Sequence, residues 1–204
     1  MQLHEGALAL GLSLSIANEE RLLSFLALMV KWNRTYNLTA IRDEADMVIQ
    51  HLLDSLSVLP MLRGVKTLAD VGSGAGFPGI PLAMVSPGLS LVSIESNQKK
   101  VAFQQQAKIE MHLENVSIHC VRVEDFKPVQ SFDAVISRAF SSLADFVRLA
   151  GHLVGSKGRL LAMKGQRPAA ELDELPPGWL VESEQRLAVP GMDAVRHLIV
   201  MKRV

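Results

Sequence analysis

The stretch "LADVGSGAGFPGIPLAM", residues 68–84, decides how this chain is folded. It places four glycines and two prolines between two apolar segments. Glycine loses more conformational freedom on folding than any other residue, so such a cluster indicates either an unusual turn or a ligand that approaches the backbone closely. "TLADV", residues 67–71, is typical of a short buried strand, and "IPLAMV", residues 80–85, opens a helix. The stretch therefore predicts a strand, a glycine-rich turn and a helix.

Strands and helices alternate downstream of this turn. The sequence predicts further strands over 89–95, 116–121, 132–137 and 158–164, with helices through Gln104 and Met111 and around 143–153. This alternation favours a parallel sheet with helices on both faces. Residues 179–202 are predicted to form two strands joined by a Pro-Gly turn, as an antiparallel hairpin. An α/β fold with a mostly parallel seven-stranded sheet and such a hairpin is the Rossmann-like class I methyltransferase architecture; another doubly wound α/β domain is the alternative.

The first sixty residues have a helical pattern instead. Asn18 precedes two glutamates and is predicted to be an N-cap, and a second helix is predicted to begin near Asp43. We therefore expect residues 1–60 to form an N-terminal helical extension and residues 61–204 to form the methyltransferase domain. The apolar positions with helical spacing are Leu22, Phe25, Leu26 and Met29 in the first helix, and Ile49, Leu52, Leu53 and Leu56 in the second.

Composition excludes several classes of protein. The 204 residues fit one domain with an appendage, and Lys plus Arg balance Asp plus Glu at 21 each, with −3 in residues 1–60 and +3 in the rest. A strongly basic nucleic-acid binder is not indicated, so any such contact would use local patches. Cys120 is the only cysteine, which excludes an internal disulfide and a thiolate zinc cluster within the chain. With no long apolar run or basic leader, we expect a cytoplasmic monomer without a metal or membrane contact.

The glycine turn predicts a nucleotide cofactor. Asp70, Gly72 and Gly74 begin a D-x-G-x-G-x-G pattern, although Gly74, Gly76 and Gly79 also fit a dinucleotide fingerprint. A carboxylate before the first glycine would pair with the ammonium of S-adenosylmethionine and would repel a pyrophosphate. Glu95 ends the next strand, where it could accept hydrogen bonds from two ribose hydroxyls. Either Glu124 or Asp125, after the third strand, could accept from the adenine amine. We therefore favour S-adenosylmethionine over a nicotinamide cofactor.

Six motifs together carry a resemblance to a known family. "NLTAIRD", "HLLDSL", "DVGSGAGFPGIPLAM", "VISRAF", "MKG" and "RHLIV" occur in this order. With this set the chain, from about Trp32 to its end, resembles the bacterial 16S ribosomal RNA guanine-N7 methyltransferase family, once named glucose-inhibited division protein B. The resemblance implies methyl transfer from S-adenosylmethionine to N7 of the guanine at position 527 in standard rRNA numbering. It implies cofactor contacts at Gly72, Phe77, Val123, Glu124 and Arg138. Leucine is also usual at position 77, where a backbone contact would survive the change.

The residues after the fourth predicted strand agree with this reaction. Guanine N7 carries a lone pair and no proton, so the transfer needs no general base. "SRAF" replaces the Asn/Asp-Pro-Pro-aromatic motif of methyltransferases that act on exocyclic amines, and Cys120 lies outside a Pro-Cys motif of C5 chemistry. Arg138 is predicted to position a methionine carboxylate or an RNA phosphate, with a surface ion pair as the alternative. Phe140 could stack on the target base, but a core position is favoured. His51 and Asp54 could bind a metal, but helix packing is favoured.

The expected partner is 16S rRNA, within the small ribosomal subunit or its precursor. Two other functions stay open at this point: a small-molecule methyltransferase, and a non-catalytic S-adenosylmethionine-binding ribosome-assembly factor. Lys164 at the end of the fifth strand of the parallel sheet is the best placed RNA contact. The RNA-binding candidates are Arg34, Arg42, Lys164, Arg167, Arg196, His197, Lys202 and Arg203.

Overall fold

A seven-stranded sheet forms the centre of the computed structural model, which describes residues 3–204. Its strand order is β3-β2-β1-β4-β5-β7-β6. Strands β1 to β5 pair in parallel, and β7 is antiparallel to both β5 and β6. The predicted α/β methyltransferase sheet with a C-terminal antiparallel hairpin is thus confirmed. The strands are β1 (Thr67–Val71), β2 (Ser90–Glu95), β3 (Val116–Cys120), β4 (Phe132–Ser137), β5 (Val154–Lys164), β6 (Trp179–Leu187) and β7 (Arg196–Arg203).

Helices cover both faces of this sheet. Between α3 and α4 the chain stays helical but widens to a π-helix over Val48–Leu53. Short 3₁₀ turns occur at Leu59–Leu62, Val123–Asp125 and Gly151–Leu153. The α-helices are α1 (Leu3–Ala9), α2 (Ile16–Tyr36), α3 (Glu44–Met47), α4 (Asp54–Leu56), α5 (Gly79–Val85), α6 (Gln98–Glu110), α7 (Leu143–Ala150) and α8 (Ala169–Leu172).

Capping residues set where the N-terminal helices begin. The N-cap of α2 is Ser15, whose hydroxyl accepts a hydrogen bond from the backbone N–H of Asn18. The predicted cap at Asn18 is therefore wrong by one turn, because Ile16 continues the helix toward the N-terminus and Ser15 supplies the same acceptor chemistry. The predicted start near Asp43 is confirmed, since its carboxylate accepts from the N–H of Asp46.

The N-terminal helices and the sheet share one hydrophobic cluster. Phe25 of α2 is fully buried, and its ring lies 5.3 Å from that of Phe77 and 5.7 Å from that of Phe103. A second cluster on the other face of the sheet packs α7 against β4 and β5, with Phe146 fully buried. No helix of the described residues 3–204 is long and apolar enough to cross a membrane.

The strand order creates a crevice where a ligand can enter. Strand β1 lies between β2 and β4. The connection after β1 leads to β2, toward one edge of the sheet, and the connection after β4 leads to β5, toward the other edge. In open parallel sheets ligands bind beyond the carboxyl ends of the strands at such a switch point. The glycine turn follows β1 and Arg138 follows β4, which places both at this crevice.

Candidate active site

Three adjoining clefts form a trough along the carboxyl edge of the sheet. The central cleft, about 220 Å³, is lined by the glycine turn, His51 and Arg138. The acidic cleft, about 180 Å³, shares Gly72 with it and is lined by Glu95 and the segment 121–124. The arginine cleft, about 250 Å³, shares Arg138 with the central cleft and is lined by Asp54, Met163, Lys164, Gly165 and Arg196.

Three glycines of the turn have positive φ, and two of them, Gly72 and Gly74, line the central cleft. Gly72 has φ +65° and Gly74 has φ +60°, which side-chain-bearing residues rarely adopt. A Cβ on Gly72 would lie 2.6 Å from Cβ of Ala139, whereas a Cβ on Gly74 would meet nothing within 4 Å. Gly74 lines the central cleft, and the space beside its Cα is therefore open.

A buried glutamine on α6 holds this turn from below. Gln104 donates to the carbonyl of Gly74 at 2.7 Å and to the hydroxyl of Ser73 at 2.9 Å. Ser93 of β2 donates its hydroxyl to Oε1 of Gln104 and accepts from the hydroxyl of Ser73, each at 2.6 Å. Sequence reasoning missed this network, although three polar residues at otherwise apolar positions of buried elements were the available signal.

Asp70 lies beneath the turn instead of in the cleft. Its side chain is fully buried, and Oδ2 accepts a hydrogen bond from the N–H of Gly79 at 2.8 Å, at the start of α5. Burial raises the pKa of this carboxyl to about 7, against the lowering effects of the Gly79 hydrogen bond and the Arg138 charge. The contact with a cofactor ammonium stays a prediction: in this structure Asp70 caps α5 beneath the turn and is not among the residues that line the central cleft.

Glu95 lies where a ribose was predicted to bind. Its Oε2 accepts from the N–H of Gly74 at 2.9 Å, and its Oε1 accepts from the N–H of Asn97 at 2.8 Å. These two backbone donors hold the carboxylate at the rim of the acidic cleft, which it lines. A carboxylate oxygen has two lone pairs, so each oxygen retains acceptor capacity toward a ligand hydroxyl.

The opposite wall of the acidic cleft contains the residues expected beside an adenine. Val123 is buried and Glu124 is exposed, and both line this cleft with Phe140. The Phe140 ring stacks on Phe146 at 5.0 Å, so it is anchored to the core, as favoured from the sequence. Asp125 is exposed and is not among the lining residues, which makes Glu124 the better candidate of the two.

Phe77 and His51 form the floor of the central cleft. Phe77 is buried, and its ring stacks on the His51 imidazole at 4.6 Å, so a cofactor contact at Phe77 would use its backbone. His51 Nε2 lies 2.9 Å from the hydroxyl of Thr39. Burial, with a smaller effect of the Arg138 charge, lowers the pKa of His51 to about 4, so this ring is neutral near pH 7.

Arg138 is held by a carboxylate on the N-terminal helices. Its Nη1 donates to Asp54 Oδ2 at 2.8 Å and to the carbonyl of Gln50 at 3.3 Å. The guanidinium lies 5.8 Å from the centre of the Phe77 ring, and 27% of the Arg138 side chain is exposed. Asp54 is thus paired with Arg138 and His51 with Thr39, which agrees with the structural roles favoured for them. Arg138 forms the predicted ion pair and also lies where the central cleft meets the arginine cleft.

Most of the RNA-binding candidates lie near the arginine cleft or are already paired with a carboxylate, and two are exposed near the central cleft. Arg196 lines the arginine cleft, while Arg167 and His197 both face Glu184, at 2.8 and 3.4 Å. Lys164 also lines that cleft, but its ammonium donates to Ser141 and Glu171 and is only 12% exposed. Arg34 and Arg42 are exposed. In the sequence they precede and follow Thr39, which lines the central cleft.

Lys202 and Arg203 belong to the opposite end of the sheet. Strand β7 runs antiparallel to β5, so His197 pairs with Lys164 whereas Lys202 pairs with Arg159. Five residues of strand separate the two ends by roughly 16 Å. The RNA contacts at Lys202 and Arg203 stay predictions, although both residues lie away from the three clefts: Lys202 pairs with Glu182 there, and Arg203 contacts Gly151 and Trp179.

Comparison with known proteins gives a family match over most of the chain. A family model described as rRNA small subunit methyltransferase G matches residues 18–199. A protein named ribosomal RNA small subunit methyltransferase G from Azoarcus sp. strain BH72 is 56% identical over 99% of this chain and 95% of its own length. A protein of the same name from Aromatoleum aromaticum is 54% identical over 98% of this chain and 97% of its own length.

Solved structures share the fold at low sequence identity. The crystal structure of TrmN from Thermus thermophilus aligns with a TM-score of 0.60 at 18% identity, over 74% of this chain and 48% of TrmN. This chain thus spans about half the length of that protein. These values show a common methyltransferase fold, with the alignment covering about three quarters of the present chain.

Proposed function

Because the chain belongs to the rRNA small subunit methyltransferase G family, we propose that it transfers a methyl group from S-adenosylmethionine to N7 of a guanine in 16S rRNA. That it is an S-adenosylmethionine-dependent rRNA methyltransferase follows from the family; the guanine N7 target is the one that the resemblance of its motifs implies. The observation that carries the proposal is the junction at Arg138, where a cleft suited to the cofactor meets a second cleft lined by arginines.

The residues of the trough fit S-adenosylmethionine. Glu95 offers two anchored oxygens to ribose hydroxyls, and Glu124 and Val123 offer an acceptor and an apolar wall to an adenine. Gly72 and Gly74 line the central cleft, and the space beside Gly74 is open. When bound, the cofactor supplies an activated methyl group on a sulfonium.

The chain contributes position rather than proton transfer. Guanine N7 attacks through a lone pair, so no side chain has to remove a proton. Alignment of two reactants in one site accounts for a large part of the acceleration in such displacements. His51 is neutral and packed on Phe77, which suits a spacer that keeps the cleft floor rigid. Arg138 is assigned to hold an anionic group of the cofactor or of the RNA, through the guanidinium donors that Asp54 and Gln50 do not use.

The family favours RNA over the small-molecule and non-catalytic alternatives. We place the reaction on 16S rRNA within the small subunit or its precursor, carried out by a cytoplasmic monomer. A base presented for N7 methylation has to expose its Hoogsteen edge, which single-stranded loops and bulges do. The trough is open along the sheet edge and could receive such a base.

Labelled methyl transfer tests the proposal. We expect wild-type protein to move label from methyl-tritiated S-adenosylmethionine to small subunits that lack the modification, and to do so at one guanine. Chemical cleavage at 7-methylguanine would then yield a single new end in the 16S rRNA. Label in another rRNA position or on an exocyclic amine would overturn the N7 assignment, and naked 16S rRNA run in parallel identifies the substrate form.

Arg138→Ala tests the position that we assign to this guanidinium. We expect kcat/KM to fall by about 100-fold, because a small misplacement of the reactants is costly in this kind of step. The control is Arg148→Ala, which removes an exposed arginine of α7 that pairs with Asp145. Equal activity of the two variants would contradict a positioning role for Arg138.

A further inference from the structure

The arginine cleft contains a buried carboxylate between two cations from distant parts of the chain. Asp54 lies at the start of α4, with only 2% of its side chain exposed. Its Oδ2 is 2.8 Å from Nη1 of Arg138, after β4, and its Oδ1 is 3.4 Å from Nε of Arg196, at the start of β7. Each guanidinium keeps about a quarter of its side chain exposed, at 27% and 26%. One carboxylate thus lies between two arginines that line the same opening.

The neighbouring residues keep this arrangement in place. The carbonyl of Gln50, within the π-helix, accepts from the same Nη1 that faces Asp54. A Cβ on Gly165 would lie 3.1 Å from Nη1 of Arg196, so the glycine gives this guanidinium room against the end of β5. π-Helical turns frequently occur at functional sites. The geometry therefore brings three separate segments to one pair of cations.

The charges of the cleft favour an anion. Lys164 is matched by Glu171, and its remaining donors go to the carbonyls of Phe140 and Ser141. Two guanidiniums against the single carboxylate of Asp54 leave one positive charge in excess. A guanidinium has five N–H donors in a planar fork, and Asp54 and Gln50 use only some of those of Arg138. The unused donors match the oxygens of a phosphate.

We propose that Asp54 is a positioning residue that holds Arg138 and Arg196 as a two-arginine clamp, and that this clamp binds a backbone phosphate of the substrate RNA next to the target base. The inference rests on the proposed function, because it names the part of the RNA that enters this site. Phosphate contacts fix the register of a nucleic acid without reading its sequence, which is what a transfer to a single base atom requires of the backbone. The clamp adjoins the central cleft through Arg138. A phosphate held in the clamp would therefore place its nucleotide next to the central cleft, where we propose that the cofactor binds.

The methionine carboxylate of the cofactor has similar chemistry, and binding experiments separate the two anions. We expect Arg196→Ala to leave the Kd of S-adenosylmethionine, measured by calorimetry without RNA, within twofold of wild type. The same variant should raise KM for small subunits about tenfold and reduce the slope of log kcat/KM against log salt concentration by about one, as expected for one lost phosphate contact. A weakened cofactor Kd with an unchanged KM for RNA would overturn the proposal.

Matched variants separate orientation from charge and from folding. Arg159→Ala removes an exposed arginine paired with Glu182 at the other end of β5, and should leave the salt slope unchanged. Arg196→Lys keeps the charge but not the fork, and should recover only part of the KM. Asp54→Asn removes the negative charge between the two guanidiniums and leaves only one acceptor oxygen for them, and should raise KM for small subunits while its cofactor Kd stays near that of wild type. Gly165→Ala, which displaces Arg196 without touching Asp54, gives the same readout if Asp54→Asn does not fold.

The outcomes distinguish this proposal from the proposed function. If wild-type protein does not label small subunits, the proposed function is wrong. If wild type labels them and Arg196→Ala has the KM and salt slope of Arg159→Ala, the clamp alone is wrong. If Asp54→Asn folds and matches wild type in KM and salt slope, Asp54 has no positioning role.

Discussion

Asp70 shows how a single buried carboxyl couples the glycine turn to pH. Its Oδ2 caps α5 through Gly79, while Oδ1 has no hydrogen-bond partner among the described residues. Burial without full hydrogen bonding disfavours the charged form, which is why the pKa is raised to about 7 from an ordinary 3.8. The folded state therefore binds the proton more tightly than the unfolded chain. As pH rises from about 4 through 7, this contribution to the free energy of unfolding is lost.

Asp70→Asn should remove that pH dependence. The amide keeps an acceptor for Gly79 and cannot ionise, so any cost of its extra donor is independent of pH. We expect the free energy of unfolding of the variant, relative to wild type, to rise by on the order of 2 kcal/mol between pH 5 and pH 8. Urea titrations of both proteins at pH 5 and pH 8 measure this difference in the free energy of unfolding. The contribution of His51 cancels because both proteins contain it.

Asp133→Asn provides the control for this titration. Asp133 also accepts from backbone N–H groups, those of Lys66 and Thr67, and these bonds lower its pKa because the largely exposed carboxylate has little desolvation to oppose them. Its stabilising contribution is lost only as pH falls below the ordinary range of an aspartate. The difference between Asp133→Asn and wild type should thus be flat from pH 5 to pH 8. An equally flat difference for Asp70→Asn would contradict the raised pKa.

The turn between β1 and α5 is the element in which backbone shape and binding are joined. Its glycines serve different purposes: Gly72 allows close packing against Ala139, and Gly74 leaves the central cleft open. Both have positive φ, so substitution by alanine strains the backbone at either position by roughly 1–2 kcal/mol. The surroundings of the added Cβ decide what else is lost.

Gly74→Ala should therefore mainly weaken cofactor binding, whereas Gly72→Ala should mainly lower stability. We expect Gly74→Ala to lose only about 1 kcal/mol of stability, but to weaken binding of S-adenosylmethionine at least tenfold because its methyl group enters the cleft. Gly72→Ala should lose more stability because of the 2.6 Å approach to Ala139. Gly11→Ala, with φ +73° and open space in the loop after α1, is the control for backbone strain alone. A normal cofactor Kd in Gly74→Ala would show that Gly74 does not border the ligand.

The sequence predicted the elements well but not every side-chain direction. The turn could be located because glycine spacing and strand periodicity are local properties. The role of Asp70 could not, because the position of α5 over the strand decides whether its carboxylate meets a ligand or the N–H of Gly79. The pairing of Asp54 with Arg138 joins residues 84 positions apart, and no local pattern encodes it. Lys202 was grouped with the other RNA-binding candidates without regard to the direction of β7, which places it at the end of the sheet opposite Lys164.

At the scale of the whole molecule, the boundary near residue 60 separates helices from sheet without separating their cores. Phe25 packs against Phe77 and Phe103, and Asp54 is bound to Arg138 across the same boundary. Six apolar side chains from residues 22–56 have no exposed surface, and burying them stabilises the fold by roughly 10 kcal/mol, similar to the total stability of a typical domain. We therefore propose that the extension and the methyltransferase domain fold as one unit. These side chains are Leu22, Phe25, Met29, Leu52, Leu53 and Leu56.

The two tryptophans allow this cooperativity to be measured, because Trp32 lies on α2 and Trp179 on β6. In the single-tryptophan variants Trp179→Phe and Trp32→Phe, we expect fluorescence and circular dichroism to give coincident urea transitions. Leu22→Ala, placed in each background, should lower both midpoints together, through a loss of about 2–5 kcal/mol typical of a buried leucine. Ile16→Ala, at a 76% exposed position of the same helix, should change neither. Independent units would instead unfold at different urea concentrations, and Leu22→Ala would then shift only the transition that Trp32 reports.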